Sequence, residues 1–285
     1  MDHTLQEWLR LASASGDWAK AAIQAQHEET RRSPEEIRTV MRSHWHDMQQ
    51  AIQTGMDAQL RSVSGLSGGQ AVKLLARVQS SKALSGTLLG KAEAYALATA
   101  ESNACMGKIV AAPTAGACGI LPGLLQAMME EKQIDEEKLV DALFVAAAVG
   151  EAIACQASIS GAEGGCQAEC GSAASMAAAA LVYLEGGTPE QSASAAAFAL
   201  MNLLGLVCDP VGGLVEVPCV YRNVGAVGIA ITAAEMALSG IVCPIQPDEV
   251  ILAMKEVGDA LPASLRETGE GGCAACPSIK CKLHF

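Results

Sequence analysis

The sequence predicts an all-α protein whose helices are joined by glycine- and proline-rich loops. Hydrophobic residues make up 51% of the 285 residues but aromatic residues only 3%, so small and aliphatic side chains have to form the core. Alanine and leucine favour helix, and small side chains let helices approach closely. No stretch of useful length alternates between apolar and polar residues as a half-buried strand does. A chain of this length is long enough to bury a substantial core.

The first 60 residues are predicted to form a polar helical segment. This segment holds all three tryptophans and four of the five histidines. Residues 35–53 carry an apolar side chain every three or four positions, which indicates an amphipathic helix. His44 and His46 lie two residues apart on that helix and therefore point to different faces, so they are not expected to share a metal ion.

Loops and helices alternate through the rest of the chain. Residues 62–74 form a glycine-containing loop that enters a helix, and backbone N–H groups there can cradle an anion, although the glycine spacing is not that of a P-loop. Residues 112–123 are predicted to be a turn with Pro113 and Pro122 at its ends. Further helices are expected at 86–104, 136–157, 172–185, 189–205, 222–240 and 247–260.

Charge and hydropathy disfavour two broad classes of function. A net charge of −12 argues against nucleic acid as a partner, because binding phosphates requires a basic face. Apolar stretches at 142–155 and 224–242 are interrupted by Glu151 and Glu235, so both are expected to be buried helices and no membrane association is predicted.

Cysteine usage points to metal or redox chemistry. The N-terminus lacks the basic start and apolar run of a signal peptide, so the protein is expected in the cytoplasm. That compartment is reducing, and the 11 cysteines are therefore not expected to form structural disulfides.

Three cysteines are found in similar loops. Cys166 lies in GAEGGCQAE, Cys208 in GLVCDPVGG and Cys219 in VEVPCVYRN. Glycine and proline hold these loops in set turns and leave space beside each sulfur. The polar residues near the last two are Asp209, Glu216, Arg222 and Asn223. By spacing alone, a three-ligand metal site and inert buried cysteines both remain open.

These segments resemble the alpha chain, or catalytic domain, of the bacterial iron–sulfur L-serine dehydratases. The resemblance covers about residues 60–272 and rests on SGLSGGQAVKL, NACMGKIVAAPTAGACGILPG, ASISGAEGGCQAE, NLLGLVCDPVGGLVEVPC, YRN and LRETGEGG. In that family three cysteines hold a [4Fe–4S] cluster at separations of 42 and 11 residues. Here the separations are 42 (166 to 208) and 11 (208 to 219). The resemblance thus implies an all-α catalytic domain with Cys166, Cys208 and Cys219 as cluster ligands.

The resemblance also implies a reaction, the conversion of L-serine into pyruvate and ammonia. Three thiolates leave one iron of a cubane open, and that iron can act as a Lewis acid on the substrate hydroxyl. Arg222 and Arg266 are candidates for binding the substrate carboxylate. The candidates for the base, or for ordering the ligand loops, are Glu163, Glu169 and Asp209. A histidine base would have to come from the first segment, the tail or a partner chain, because residues 60–272 contain no histidine.

The family pairs this domain with a smaller beta domain or chain. Nothing in the sequence resembles that part, so we expect a separate beta chain and an oligomeric enzyme. The predicted organisation is an N-terminal helical segment at 1–60, the catalytic domain at 61–272 and a cysteine-rich tail at 273–285. Some relatives place a C-terminal cysteine on the open iron, and this tail offers Cys273, Cys276 and Cys281.

Three alternatives remain open from the sequence. A related iron–sulfur lyase can act on threonine or cysteine instead of serine. A pyridoxal-phosphate dehydratase catalyses the same reaction with a lysine and a glycine-rich phosphate cup, for which GAEGG is a candidate, but the strand-rich framework is missing. A non-catalytic thiol or zinc scaffold is the third, because residues 273–281 contain a CxxC pair with zinc-like spacing.

Overall fold

The computed structural model describes residues 4–280, and within that range it contains helices and loops but no strand. A single isolated bridge joins Cys208 to Arg266. The prediction of an all-α fold is confirmed. In chain order the helices are α1 (Leu5–Ser15), α2 (Trp18–Thr30), α3 (Pro34–Gly55), α4 (Ala71–Gln79), α5 (Gly86–Ala104), α6 (Ile120–Lys132), α7 (Glu136–Gln156), α8 (Gly161–Gly164), α9 (Ser172–Leu184), α10 (Pro189–Leu203), α11 (Cys219–Leu238), α12 (Pro247–Ala260) and α13 (Pro277–Lys280).

One helix of the core differs from the sequence expectation. The turn predicted at 112–123 is present only as a short 3-10 segment, Ala115–Ala117, and α6 begins at Ile120. Pro122 therefore lies in the first turn of a helix instead of ending a turn. Proline is tolerated there because the first N–H groups of a helix have no partner within it.

The N-terminal helices are each started by a polar cap. The side chains of Thr4, Asp17 and Ser33 accept hydrogen bonds from backbone N–H groups in the first turns of α1, α2 and α3. At α3 a glutamate completes a reciprocal capping box. Helix α2 packs against α7, and α3 packs against α5. Within the segment predicted at 1–60, residues 5–55 are thus mostly helical and pack on the core.

The centre of the fold is a layer of alanine-rich helices. Helix α9 contacts α7, α10 and α11, and every one of its residues except Tyr183 is buried. Between α5 and α6 the approach depends on a glycine, since a Cβ at Gly123 would lie 2.6 Å from the backbone nitrogen of Ala96 and 2.8 Å from the carbonyl oxygen of Ala92. Small side chains therefore set the spacing of the helices that carry the loops described below.

Helix α7 is long and apolar enough to cross a membrane by length and composition. Within the fold, 67% of its most apolar window is buried. That burial is the expected behaviour of a helix at the centre of a folded core.

The loop before α4 is closed by a carboxylate from α5. Glu101 is fully buried and accepts hydrogen bonds from the backbone N–H groups of Gly68, Gln70 and Ala71, at 2.9 to 3.1 Å. These donors lie at the positive end of the α4 dipole, where a negative charge is stabilised. The anion site that the sequence suggests in residues 62–74 is therefore filled by a side chain of the protein itself.

Candidate functional site

Three elements converge to bring together the three cysteines singled out by the sequence. Cys166 precedes a short π-helical turn, Gln167–Gly171, that leads into α9, and Cys208 lies in the loop after α10. Cys219 is the first residue of α11, and not a loop residue as expected, because the helix begins directly after Pro218. The three residues are 2%, 3% and 7% exposed. All three thiols are thus buried, two at the start of a helical element and one in a loop.

The segment around Cys208 is fixed by backbone hydrogen bonds to a distant part of the chain. The N–H of Cys208 donates to the carbonyl of Leu265 at 2.9 Å, and its carbonyl accepts from the N–H of Glu267 at 2.7 Å. This pairing brings the LRETGEGG segment against the loop that follows α10.

Arg222 braces the same loop from α11. Its Nη1 donates to the carbonyl oxygen of Val207 at 2.8 Å, and its Nη2 lies 2.7 Å from Asp209 Oδ1 in an ion pair that lacks the alignment of a hydrogen bond. Asp209 is 2% exposed, so the pair is shielded from water. Arg222 is thereby engaged with the backbone just before Cys208 and with the side chain just after it.

Glu169 projects into the space beside the cysteines. Its Oε1 accepts a hydrogen bond from Thr114 Oγ1 at 2.7 Å, and its Oε2 lies 3.9 Å from Cys208 Sγ. A Cβ at Gly161 would lie 2.7 Å from Glu169 Oε2 and 2.9 Å from Cys208 Sγ, and one at Gly116 would lie 2.8 Å from Glu169 Oε1. Two glycines therefore make room for this carboxylate, and burial raises its pKa.

The three thiols differ in their electrostatic surroundings. Burial raises the pKa of Cys208 well above its usual range and that of Cys219 to about 12. The pKa of Cys166 is instead lowered, first by a hydrogen bond from the Cys170 thiol, whose sulfur is 3.4 Å away, and further by the positive charge of Arg222. Cys166 is thus the thiol that loses its proton most readily.

Asn223 joins the ligand-bearing helix to the loop before α6. It is 1% exposed, and its Nδ2 donates to the carbonyl oxygens of Gly116 and Cys219 at 2.7 and 2.9 Å. Its Oδ1 accepts from the N–H of Gly119 at 2.8 Å. One buried amide therefore sets the distance between Cys219 and the loop that carries Thr114.

Glu216 joins the start of α11 to the serine-containing loop after α3. Its carboxylate accepts hydrogen bonds from the hydroxyls of Ser62, Ser64 and Ser67 at 2.5, 2.5 and 2.6 Å. The carboxylate is 3% exposed and depends on these donors, because a buried charge without partners is costly. The SGLSGG segment is thereby held beside the loop that ends at Cys219.

Glu163 and Arg266 lie at the edge of this arrangement. Glu163 accepts a hydrogen bond from Ser158 at 2.5 Å. The side chains of Glu163 and Arg266 both line a cavity of about 360 Å³, which Lys255 and Asp259 also line. The structure therefore groups Glu169, Asp209 and Arg222 with the cysteines and places Glu163 and Arg266 at a neighbouring cavity.

Comparison with known proteins identifies the family. Residues 16–274 match the family model described as serine dehydratase alpha chain. The chain belongs to this family. It is 52% identical over 256 residues to the probable L-serine dehydratase alpha chain of Bacillus subtilis, a match that covers 90% of this chain and 85% of the relative. It is 50% identical to the L-serine dehydratase alpha chain of Peptoniphilus asaccharolyticus, with 68% of this chain and 67% of the relative covered.

Longer members of the family are also similar. The L-serine dehydratase of Streptomyces coelicolor is 39% identical over 274 residues, which cover 95% of this chain but 60% of that protein. The serine dehydratase alpha family thus includes chains that extend well beyond the region matched here.

The C-terminal tail lies against the loop that carries Cys208 and Asp209. The backbone N–H of Cys273 donates to Asp209 Oδ2 at 2.6 Å. Gly272 has a φ of +57°, and a Cβ there would collide with the Asp209 carboxylate. Cys273 and Cys276 are exposed, and Cys281 falls outside the described residues. The tail therefore approaches the site through its backbone.

Two further residues near the site, Thr114 and Glu267, are not singled out by the sequence analysis. Burial is the main cause that raises the pKa of Glu169 and of Cys208, and the negative charge of Glu267 raises both pKa values further. Thr114 and Glu267 lie within the family motifs APTAGA and LRETGEGG, and that position is the only signal in the sequence that marks them.

Proposed function

We propose that this chain is the alpha subunit of an L-serine dehydratase, a lyase that converts L-serine into pyruvate and ammonia. The main support is the grouping of three buried cysteines with Glu169 and the Arg222–Asp209 pair. The chain that carries this group is 52% identical to a protein named probable L-serine dehydratase alpha chain. The residues that match the serine dehydratase alpha chain family model, 16–274, include the whole described site. Threonine and cysteine remain the alternative substrates.

Cys166, Cys208 and Cys219 would hold a [4Fe–4S] cluster, and the site fits this group in two respects. The donors are three buried thiols. Besides burial and the charge of Glu169, the charges of Cys166 and Cys219 raise the pKa of Cys208, so the three sulfurs lie close to one another. Among residues 4–280 no three His, Cys, Asp or Glu side chains are arranged around a single metal ion. A cubane does not require that arrangement, since each thiolate binds a different iron. When bound, the cluster would supply a Lewis acid that stabilises the departing hydroxide.

The protein's own charged residues divide into two roles. Arg222 is engaged by Asp209 and Val207, so it would position the Cys208 loop and place positive charge near Cys166. Arg266 lines the adjacent cavity and would meet the substrate carboxylate there if that cavity admits serine.

Glu169 is the carboxylate best placed to accept a proton. Its pKa is raised by burial, Thr114 orients its Oε1, and its Oε2 faces the Cys208 sulfur. Asp209 is engaged by Arg222 and the tail, and Glu163 by Ser158. A histidine from the first segment, the tail or a partner chain is the other candidate for the base, because residues 60–272 contain none.

A separate beta chain would complete the enzyme. This chain spans 85% of the Bacillus subtilis alpha chain but 60% of the Streptomyces coelicolor dehydratase, so the latter carries a large additional region. A second polypeptide would supply that region here. Mixing the alpha chain with its beta chain should raise the rate of pyruvate formation, and an equal rate with the alpha chain alone would show that no partner is needed.

Anaerobic reconstitution with iron and sulfide, followed by measurement of pyruvate from L-serine, tests the proposal directly. We expect a brown, oxygen-sensitive preparation and turnover of serine above threonine and cysteine, with Cys155→Ser as a control at an exposed cysteine. Zinc without inorganic sulfide would instead favour the thiol scaffold, and absorbance of a bound aldimine would favour the pyridoxal-phosphate alternative.

A further inference from the structure

Cys166 has a second cysteine within reach. The Sγ atoms of Cys166 and Cys170 are 3.4 Å apart, and the two residues are 2% and 0% exposed. They are four positions apart across the π-helical turn Gln167–Gly171, so their side chains lie on the same face. Neither is part of a disulfide in this structure.

We propose that Cys166 and Cys170 form a reversible disulfide whenever Cys166 is not bound to iron, and that this disulfide prevents the site from taking up a new cluster. The inference rests on the proposed role of Cys166 as a ligand. It assigns to Cys170 a function that the reaction itself does not require.

The geometry favours the bond. A disulfide has an S–S length of about 2.05 Å and tolerates Cα–Cα separations of about 4.4–6.8 Å. Residues four apart on an α-helix are about 6 Å apart, because each residue rises 1.5 Å, and a π-helical turn, which holds more residues per turn, does not lengthen that separation. The sulfurs therefore need to move together by about 1.4 Å, which small side-chain rotations supply. A loop this short constrains the unfolded chain little, so the bond should be readily reduced.

The oxidant we name is hydrogen peroxide. The Cys166 thiolate attacks one peroxide oxygen, the O–O bond breaks, and the departing hydroxide takes a proton to become water. The Cys170 sulfur then attacks the sulfur of the Cys166 sulfenic acid, the S–S bond forms, and the S–O bond breaks with release of a second water. Two thiols lose two electrons in total, and one peroxide is reduced to two waters. A dithiol reverses the change by exchange.

A cavity adjoins the segment that carries Cys166. Gly164 and Ala168 are each two residues from Cys166, and both line the cavity of about 360 Å³. Peroxide is close to water in size, so it is small enough to enter this space. Cys118 is a matched control, because it is 0% exposed but has no thiol within hydrogen-bonding distance among residues 4–280.

The first test is made on the apoprotein, stripped of metal by a chelator without oxygen and then exposed to peroxide. Cleavage after glutamate separates 164–169 from 170–185, so a Cys166–Cys170 disulfide appears as a linked peptide pair by mass spectrometry. We expect this pair in the wild-type chain and in Cys118→Ala. In Cys170→Val it should be replaced by sulfinic and sulfonic acids at Cys166. Absence of linked peptides in the oxidised wild-type apoprotein would overturn the proposal.

The second test measures iron uptake, by absorbance and metal content. The oxidised wild-type apoprotein should take up less than a tenth of the iron that the reduced form binds, and dithiothreitol should restore uptake. Oxidised Cys170→Val should not recover, because its Cys166 acids are not reduced. Full iron uptake by the disulfide form would overturn the blocking role.

The third test separates this inference from the proposed function. Reconstitution before peroxide treatment should suppress the linked peptides at least tenfold, since iron occupies the Cys166 sulfur. Equal linkage with and without bound cluster would show that Cys166 is not a ligand, which overturns the proposed ligand set and the coupling to iron while leaving the disulfide itself measurable.

Discussion

The alanine-rich helices and the loops they carry are stabilised in different ways. Helix α9 is buried along nearly its whole length and is held by many small apolar contacts with α7, α10 and α11. The loops that bear the cysteines depend on a few polar groups, each of which makes several contacts: Asn223, Glu216 and the Arg222–Asp209 pair. Stability and ligand geometry should therefore respond to different substitutions.

The largest effect is expected at the three cysteines. Replacing Cys166, Cys208 or Cys219 singly by serine should remove most of the iron–sulfur absorbance and reduce activity at least a hundredfold, because an iron loses its thiolate. The far-UV circular dichroism of the apoprotein should be unchanged, since the alanine-rich helices do not depend on these sulfurs. Full activity of Cys208→Ser would reject the ligand assignment.

A substitution between two helices should lower the stability of the fold without changing how much iron it binds. Gly123→Ala places a Cβ 2.6 Å from the backbone nitrogen of Ala96, so α5 and α6 must separate. We expect a loss of about 1–3 kcal/mol in the free energy of unfolding, measured by urea denaturation, with iron content per folded chain unchanged. Gly225→Ala on α11 is the control: no atom lies within 4 Å of its added Cβ, and the change should stabilise by about 0.4–1 kcal/mol.

Asn223 tests whether one amide connects the two regions. Asn223→Ala leaves the N–H of Gly119 and the carbonyl of Gly116 without their partner, which should cost about 1–3 kcal/mol in the free energy of unfolding. It should also shorten the lifetime of the cluster several-fold, because Cys219 loses its tie to the loop before α6. Asn202→Ala, which removes only a bond to the Phe198 carbonyl, is the control. An unchanged cluster lifetime would show that Asn223 acts on stability alone.

The tail should affect kinetics more than stability. Because the N–H of Cys273 donates to Asp209 Oδ2, the tail begins beside the Cys208 loop, and we expect its cysteines to reach the open iron of a bound cluster. Deleting them should speed cluster loss in air and remove any lag in the first turnover. A deletion protein whose oxygen lifetime and lag match those of the full chain would exclude a role for the tail cysteines, including zinc binding that influences the site.

The smallest effect is expected from a surface cluster on the helix layer. Burial alone would raise the pKa of Glu130, but hydrogen bonds from Gln126, Lys91 and Tyr95 outweigh it and hold the pKa below its usual range. Its stabilisation is present above about pH 4.3, the unfolded value, and is lost as the pH falls through the lower folded value. Glu130→Gln should thus cost at most about 1 kcal/mol at pH 7 and less at pH 3. The same loss at both pH values would contradict this account.

Much of the helix layer could be predicted from the sequence, because periodicity and caps act over short distances. The expected helix at 86–104 coincides with α5, and Thr188 caps α10 through a capping box. Helix α6 was not predicted, since Pro122 suggests a break and the tolerance of proline in a first turn depends on where the helix begins.

The arrangement of the site could be predicted only in part. Similar glycine-rich loops and the family resemblance single out the cysteines, but they do not tell which polar residues meet them. Glu169 meets Thr114 across 55 positions, and Glu163, six residues before it, turns to another cavity. Contacts of this kind depend on how whole helices are placed, which no local pattern in the sequence records.

The placement of the tryptophans makes the two regions separately observable. Trp8, Trp18 and Trp45 are all buried in α1, α2 and α3, and the rest of the chain contains no tryptophan. Intrinsic fluorescence therefore reports on the N-terminal helices alone, whereas visible absorbance of a bound cluster would report on the loops. Following both signals in one denaturation experiment would show whether the loops open before the N-terminal helices leave the core, without adding any label to the protein.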